Sequence, residues 1–127
     1  MARTANGGSW LAPADGPGVT WLLRDGDVLA AADVVEEWRG RSKGLLGRDG
    51  YEGAMVLTRT RSIHTVGMRF AIDVAFCDRD LLVLDVARVP PLRLALPRRK
   101  CRTVIEAEAG AFERWGLRAG DRLELRG

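Results

Sequence analysis

The side chains most able to do chemistry lie in the middle of the chain: His64, Asp73 and Asp85. An imidazole changes charge near neutral pH and can act as a general base or a metal ligand, and facing carboxylates can hold Mg²⁺ or Ca²⁺. The three together would make a metal-dependent hydrolase. A zinc site needs at least three protein ligands, however, and the sequence has no CxxC pair, no second histidine and no HExxH motif. We therefore interpret His64 as a histidine at a strand–loop junction that hydrogen-bonds the backbone, and keep the hydrolase as an alternative.

The two aspartates are expected to face each other across a β-hairpin. Residues 72–77 and 81–87 both alternate between apolar and other side chains, and a three-residue loop at 78–80 would place Asp73 opposite Asp85. Facing carboxylates repel, so an arginine, a cation or a raised pKa must relieve the repulsion. We favour an arginine. Three arginines are near enough in sequence to supply it: Arg48, Arg69 and Arg88. The other face of the hairpin is expected to bury six apolar residues: Ile72, Val74, Phe76, Leu82, Leu84 and Val86.

Positive charge is concentrated in the middle of the chain. Residues 51–105 carry ten basic and five acidic side chains, whereas residues 1–50 and 106–127 each have one more acidic than basic residue. Of the 20 basic residues 18 are arginine, which suits bidentate binding of carboxylate or phosphate. A GC-rich genome produces the same excess of arginine without any function.

A basic loop gives this charge a candidate site. Its anion-binding candidates are Arg98, Arg99, Lys100 and Arg102. Nucleic-acid binding through the same loop would require a flat positive face shared with Arg88 and Arg93. The loop itself has no aromatic residue on which a base could stack. We therefore favour a small anion or an acidic protein as the partner, with nucleic acid as a second alternative.

The length of 127 residues fits one domain with a proper core. We expect residues 1–18, which are rich in glycine and proline, to be a flexible lead-in, and residues 19–127 to form the domain. No apolar run approaches the roughly 20 residues that span a bilayer, and the start lacks the pattern of a secretory signal, so we expect a cytoplasmic protein without a membrane partner. Cys77 and Cys101 are then expected to be inert thiols. The glycines form no GxGxxG or Walker pattern, which gives nucleotide binding no support.

Short apolar runs separated by turn residues predict a mostly β fold. Asp25-Gly26 between two apolar runs predicts a hairpin, and Asp33 with Glu36 forms a capping box that predicts the start of a helix ending at Gly44. A second helix is predicted from Ala109 to Trp115, closed by Gly116. The sequence as a whole predicts two helices and about seven short strands. This pattern predicts a small, mostly antiparallel β barrel or half-barrel of the α+β type.

Three segments together resemble a family of small uncharacterised bacterial proteins, domain of unknown function number 192. Residues 41–48 resemble its arginine-x-x-Gly-Leu-Met-x-Arg turn, with Leu46 in place of the usual methionine. Residues 63–76 are similar to its central signature, although many relatives have Trp-Met where this chain has Ile63-His64. Residues 105–121 match its Leu-Glu-x-x-x-Gly helix and its Gly-Leu-x-x-Gly-Asp turn. The resemblance spans roughly residues 20–126 and implies a fold, without an activity, a cofactor or a catalytic set.

The sequence thus favours a cytoplasmic binding module without cofactor or metal, and not an enzyme. We expect the site where the loop at 62–68, the Asp73 and Asp85 face and the turn at Arg48 converge. The arginines would hold an anionic ligand, and the aspartates would orient those arginines. The ligand-binding candidates are Arg48, His64, Thr65, Met68, Arg69, Asp73 and Asp85.

Overall fold

Nine β-strands and one short helix make up the parts of the chain that the computed structural model describes. Those parts are residues 19–35, 52–60, 63–64, 70–91, 94–95 and 98–127, with the backbone alone at 63, 64, 94 and 95. The strands are β1 (Thr20–Arg24), β2 (Asp27–Val35), β3 (Ala54–Thr58), β4 (Ile63–His64), β5 (Ile72–Cys77), β6 (Val83–Val89), β7 (Leu94–Ala95), β8 (Thr103–Glu108) and β9 (Leu123–Arg126). The helix, α1, spans Ala111–Trp115.

Seven of the strands form one curved sheet in the order β6-β5-β8-β3-β2-β1-β9. Strands β2 and β3 run parallel, and the other neighbours in this sheet run antiparallel. Strands β4 and β7 pair separately as a two-stranded sheet.

The two edges of the large sheet meet at one corner. The N–H of Val83, at the start of β6, donates to the carbonyl of Asp121 at 2.8 Å, and the N–H of Leu123, at the start of β9, donates to the carbonyl of Leu81 at 3.0 Å. Leu82 and Arg122 form a β-bridge between these contacts. The sheet is therefore a half-barrel, and the predicted mostly β half-barrel is confirmed.

The central strands β3, β5 and β8 bury both of their faces. Their side chains alternate between two clusters, which we call the inner core and the outer core. The inner core receives residues from both edge strands and from α1, so it fills the concave side; it includes Leu22, Val56, Ala75, Cys77, Val83, Ile105, Phe112, Leu117 and Leu123. The outer core lies on the opposite face and includes Met55, Leu57, Ile72, Val74, Phe76, Val89, Cys101 and Val104.

The predicted hairpin at Asp25-Gly26 is confirmed. It joins β1 to β2, and Arg24 pairs with Asp27. Asp25 has φ 53° and Gly26 has φ 84°. Two successive residues with positive φ are typical of the tight turn whose twist matches the flanking strands.

The predicted register of the β5–β6 hairpin is wrong. Asp73 pairs with Arg88, and Asp85 pairs with Phe76, so the two aspartates do not face each other. The turn closes one residue later than predicted, because the Asp78 carboxylate accepts the N–H groups of Asp80 and Leu82 at 2.8 and 3.0 Å. A bulge between Phe76 and Cys77 adds a further offset.

The burial expected on the two strands is right for β5 and wrong for β6. All six residues of β5 are buried, so both of its faces pack and its pattern could not select the register. On β6, Leu84 and Val86 are half-buried, as is Leu82 before it, and Val83 and Val89 are the buried side chains.

The helix predicted to begin at Asp33 does not begin there. Asp33 and Val35 belong to β2 and pair with Met55 and Leu57 of the parallel strand β3. Strand pairing with β3 therefore overrides the local capping pattern. Residues 36–44, the remainder of that predicted helix, lie outside the described residues.

The predicted closing turn is confirmed, and α1 begins two residues later than expected. Gly116 has φ 65° and ends the helix in the left-handed conformation, with its N–H bonded to the carbonyl of Glu113 at 3.1 Å. Gly120 has φ 96°. The carboxylate of Asp121 accepts the N–H of Arg118 at 3.0 Å and pairs with Arg24 at 3.0 Å. The turn is thereby tied to the end of β1.

Candidate functional site

Asp73 is a buried carboxylate that joins β5 to α1. Its side chain is 5% exposed. One oxygen accepts from Nε of Arg88 at 3.0 Å, and the other accepts from the N–H groups of Gly110 and Phe112 at 2.9 and 3.1 Å. A buried charge requires such partners, so the carboxylate stabilises the start of α1. Arg88, one of the three arginines expected to neutralise a facing pair of aspartates, pairs with Asp73, although Asp85 does not face it.

Arg88 bridges two carboxylates. Its Nη2 pairs with Oε1 of Glu113 on α1 at 3.0 Å, while its Nε pairs with Asp73. The hydrogen bond to Asp73 is the largest cause that raises the pKa of Arg88, and the bond to Glu113 adds to it. The guanidinium therefore stays charged and holds α1 against β6.

Asp85 lies on the opposite face of the sheet from Asp73. It pairs across the strands with Phe76, and directly opposed residues share a face, so both belong to the outer side. Its carboxylate forms an ion pair with Arg98 at 3.0 Å. The guanidinium of Arg98 also lies over the Phe76 ring, 4.1 Å from its centroid. Arg98 thus has a structural role that the sequence did not indicate.

This geometry contradicts the shared cation site that was the alternative to neutralisation by an arginine. Asp73 and Asp85 point to opposite sides of the sheet, and each is bound by its own arginine. Across the residues that the structure describes, no group of three or more His, Cys, Asp and Glu side chains could hold a metal ion. The hydrolase alternative therefore loses the metal ligands assigned to it.

The other ligand-binding candidates of the central region are only partly covered by the structure. His64 belongs to β4, where its backbone pairs with Leu94 of β7. Arg48, Thr65, Met68 and Arg69 lie outside the described residues. Their convergence with Asp73 stays a prediction.

Three chain segments meet at one end of the sheet and carry five of the ten exposed basic side chains among the described residues. The N–H of Thr60 donates to the carbonyl of Arg102 at 3.0 Å, and the N–H of Arg102 donates to the carbonyl of Cys77 at 2.8 Å. These bonds place residues 58–60, 77–80 and 98–103 side by side, a region that we call the basic end. The basic end contains six basic and two acidic residues. Five of its basic side chains are exposed: Arg59, Arg79, Arg99, Lys100 and Arg102.

The two cysteines lie in different cores. Cys77 packs in the inner core and Cys101 in the outer core, and both are free thiols. Burial, followed by the nearby Cys101 and Asp78, raises the pKa of Cys77 to about 12. Because the thiolate is the reactive form, Cys77 is unreactive near neutral pH.

A groove between β6 and α1 was missed by the sequence analysis. We call it the α1 groove; its volume is about 540 Å³. Val86, Phe112 and Leu117 give it an apolar floor, and its charged lining includes Arg88, Glu113 and Arg118. The Gly-Leu-Arg turn after α1 was visible in the sequence, but only the true hairpin register brings β6 beside it.

A comparison with known protein families shows which family the chain belongs to. Residues 21–125 match the family DUF192, described as "Uncharacterized ACR". The chain belongs to the DUF192 family. Among its relatives are UPF0127 proteins of Pyrococcus furiosus, 36% identical, and of Pyrococcus horikoshii, 35% identical, each over 63 residues. The matched segment is 50% of this chain and covers 54% and 55% of those relatives, so the chain spans about half of their length.

Two solved structures share the fold of this DUF192 protein. A protein of Sinorhizobium meliloti described as a candidate transcription regulator superposes with a TM-score of 0.69 at 19% identity, over 84% of this chain and 91% of that one. A protein of unknown function from Novosphingobium aromaticivorans superposes with a TM-score of 0.68 at 20% identity, over 84% and 83% of the two chains. At this level of identity the likeness concerns the fold alone. Within the described residues, no helix is long and apolar enough to cross a membrane.

Proposed function

We propose that this DUF192 protein is a binding module whose basic end binds an acidic segment of a partner protein. The observation that carries the proposal is the meeting of three chain segments with six basic and two acidic residues, five of the basic side chains being exposed. Arginine predominates among these exposed side chains and suits bidentate contacts with carboxylates.

Two of the three carboxylates in or beside the basic end are already engaged. Asp78 accepts two backbone N–H groups of its own turn at 2.8 and 3.0 Å, and Asp85 is paired with Arg98. Asp80 is exposed, and its single charge leaves the five exposed basic side chains in excess. The remaining positive charge attracts an acidic partner and speeds its encounter.

An acidic protein suits this surface better than a nucleic acid. Base stacking requires exposed aromatic rings, whereas Phe76, the aromatic residue of β5 beside this end, is fully buried and covered by Arg98. Cytoplasmic location is part of the same proposal. It is supported by two free cysteines, since structural disulfides are the rule in oxidising compartments.

The first test measures binding of an oligoglutamate peptide to the whole chain by fluorescence anisotropy at increasing salt. We expect affinity to fall as salt approaches about 0.1 M, where exposed charges separated by more than about 10 Å are largely screened. A mixed-sequence DNA duplex of similar total charge is measured in parallel. Tighter binding of the duplex than of the peptide would replace the acidic-protein proposal with nucleic-acid binding.

The second test locates the binding surface. Replacing Arg99, Lys100 and Arg102 by serine should weaken peptide binding at least tenfold and leave the melting temperature nearly unchanged, since all three side chains are exposed. Arg98 is left intact because of its contacts with Asp85 and Phe76. In the matched control, serine replaces Arg114, Arg122 and Arg126, which are also exposed. This control removes the same amount of positive charge from other parts of the surface. An equal loss in the control would show that net charge alone attracts the peptide, and the proposal would fail.

A further inference from the structure

The α1 groove differs from the basic end in chemistry as well as position. Its floor is apolar, with Phe112 and Leu117 at 6% and 7% exposure and Val86 half-buried beside them. Its volume of about 540 Å³ lies in the range of small-molecule sites. A ligand that fills it would gain from burying an apolar body.

The charged groups around the floor are unequally engaged. Asp73 already accepts three hydrogen bonds, from Arg88 and from two backbone N–H groups, and Arg88 uses Nε and Nη2 for Asp73 and Glu113. The guanidinium of Arg118 forms no hydrogen bond or ion pair with any residue that the structure describes, although its backbone N–H is bound to Asp121. The guanidinium of Arg118 and Nη1 of Arg88 can therefore still donate hydrogen bonds to a ligand.

The groove is held in shape by its own contacts. Arg88 ties α1 to β6 through Glu113, and Asp73 ties β5 to the first turn of α1. Arg24 donates to the carbonyls of Trp115 and Gly116 at 2.6 and 3.0 Å, which positions the turn that carries Arg118. A preformed wall lowers the ordering cost of binding.

From this arrangement we infer that the α1 groove binds a small carboxylic acid with an apolar body. The body lies on Val86, Phe112 and Leu117, and the carboxylate accepts hydrogen bonds from Arg118 and Arg88. The site is independent of the basic end and of the acidic partner proposed there.

The test is a titration of the isotope-labelled whole chain, followed by NMR, with four matched probes. Phenylacetate carries both the ring and the carboxylate, phenethyl alcohol and phenethylamine keep the ring with a neutral or positive head, and acetate keeps the head alone. We expect phenylacetate to shift the resonances of Val86, Phe112, Leu117 and Arg118, and to bind at least tenfold more tightly than each of the other three. Equal binding of phenethylamine, or shifts confined to another surface, would overturn the inference.

Variants then separate this site from the basic end. Arg118→Gln keeps much of the side-chain length, removes the charge, and should weaken phenylacetate binding at least tenfold. The control is Arg114→Gln, an exposed arginine of α1 that does not line the groove, and it should bind as the unmodified chain does. The triple serine variant of Arg99, Lys100 and Arg102 should also retain phenylacetate binding. A loss in the triple variant would place the carboxylate at the basic end and contradict the groove, whereas a failure of peptide binding alone would leave the groove intact.

Discussion

Whether a charged side chain of this protein can contact a ligand depends on the hydrogen bonds and ion pairs that it already makes within the fold. Asp73 and Arg98 were both candidates for contact with a ligand, yet each is engaged inside the fold. Asp73 accepts three hydrogen bonds from β6 and α1, and Arg98 is paired with Asp85 above the Phe76 ring. The sequence analysis did not name Arg118 as a candidate, yet its guanidinium forms no hydrogen bond or ion pair with any residue that the structure describes. The free donors therefore make Arg118 the more informative residue to substitute.

Cys77 gives a prediction about alkaline stability. Burial raises its pKa from 9.0 to about 12, so between these values the unfolded chain loses the thiol proton while the folded chain keeps it. The unfolded state is then stabilised, and the free energy of unfolding should fall as pH rises from about 9 toward 12, by up to about 1.4 kcal/mol per unit of pH. Below pH 9 the thiol should contribute no pH dependence. Urea unfolding at pH 8, 9, 10 and 11 measures the slope.

The control for this prediction is Cys77→Ala. It should be less stable at pH 8 because it leaves a small cavity in the inner core, but its stability should depend less steeply on pH above 9, so the difference from the unmodified chain should narrow as pH rises. If the alanine variant shows the same slope as the unmodified chain, the dependence comes from other groups, and the Cys77 explanation is wrong.

At the scale of elements, glycines with positive φ lie at the boundaries of β3 and α1. Gly116 has φ 65°, and a Cβ built there would come no closer than 4.0 Å to Nη2 of Arg24. Gly53, just before β3, has φ 89°, and its Cβ would lie 2.8 Å from the carbonyl oxygen of Ala31. Gly116→Ala should therefore cost about 1–2 kcal/mol through backbone strain alone, and Gly53→Ala should cost more because it adds a clash with the backbone of β2.

Denaturant melts of the two alanine variants test this order. Gly116→Asn is the control, since asparagine tolerates the left-handed conformation, and it should recover part of the stability that alanine loses. A Gly53→Ala variant as stable as Gly116→Ala would show that β2 can move away from the new methyl group, and that the close approach is not a constraint.

How far the sequence predicted the elements depended on whether local residues settle the backbone. Turns with their own chemistry, at Asp25-Gly26 and from Gly116 to Asp121, were predicted correctly, as was the half-barrel. The capping box at Asp33 was misleading because pairing with β3 is a long-range effect. The β5–β6 register was wrong because β5 is buried on both faces, and a shift in register then exposes no additional apolar surface of β5. The α1 groove could not be found before that register was known.

At the scale of the whole molecule, the two cores share their strands and should unfold together. Strands β3, β5 and β8 send alternate residues into the inner and the outer core, so neither core can lose its packing while these strands stay paired. Ile105 belongs to the inner core and Ile72 to the outer core, and both are fully buried. The same substitution at both positions therefore compares the two cores.

We expect Ile105→Ala and Ile72→Ala each to lower the free energy of unfolding by about 2–5 kcal/mol, the usual range for truncating a buried isoleucine. Each variant should still unfold in one transition, with far-UV circular dichroism and tryptophan fluorescence giving the same urea midpoint. Trp115 packs against the inner core, so fluorescence includes a report on that side, whereas circular dichroism reports the strands as a whole. If Ile105→Ala shifts the fluorescence midpoint and leaves the circular dichroism midpoint in place, the concave side melts separately. The α1 groove would then be built on an independently unfolding part of the molecule, and its ligand would stabilise that part alone.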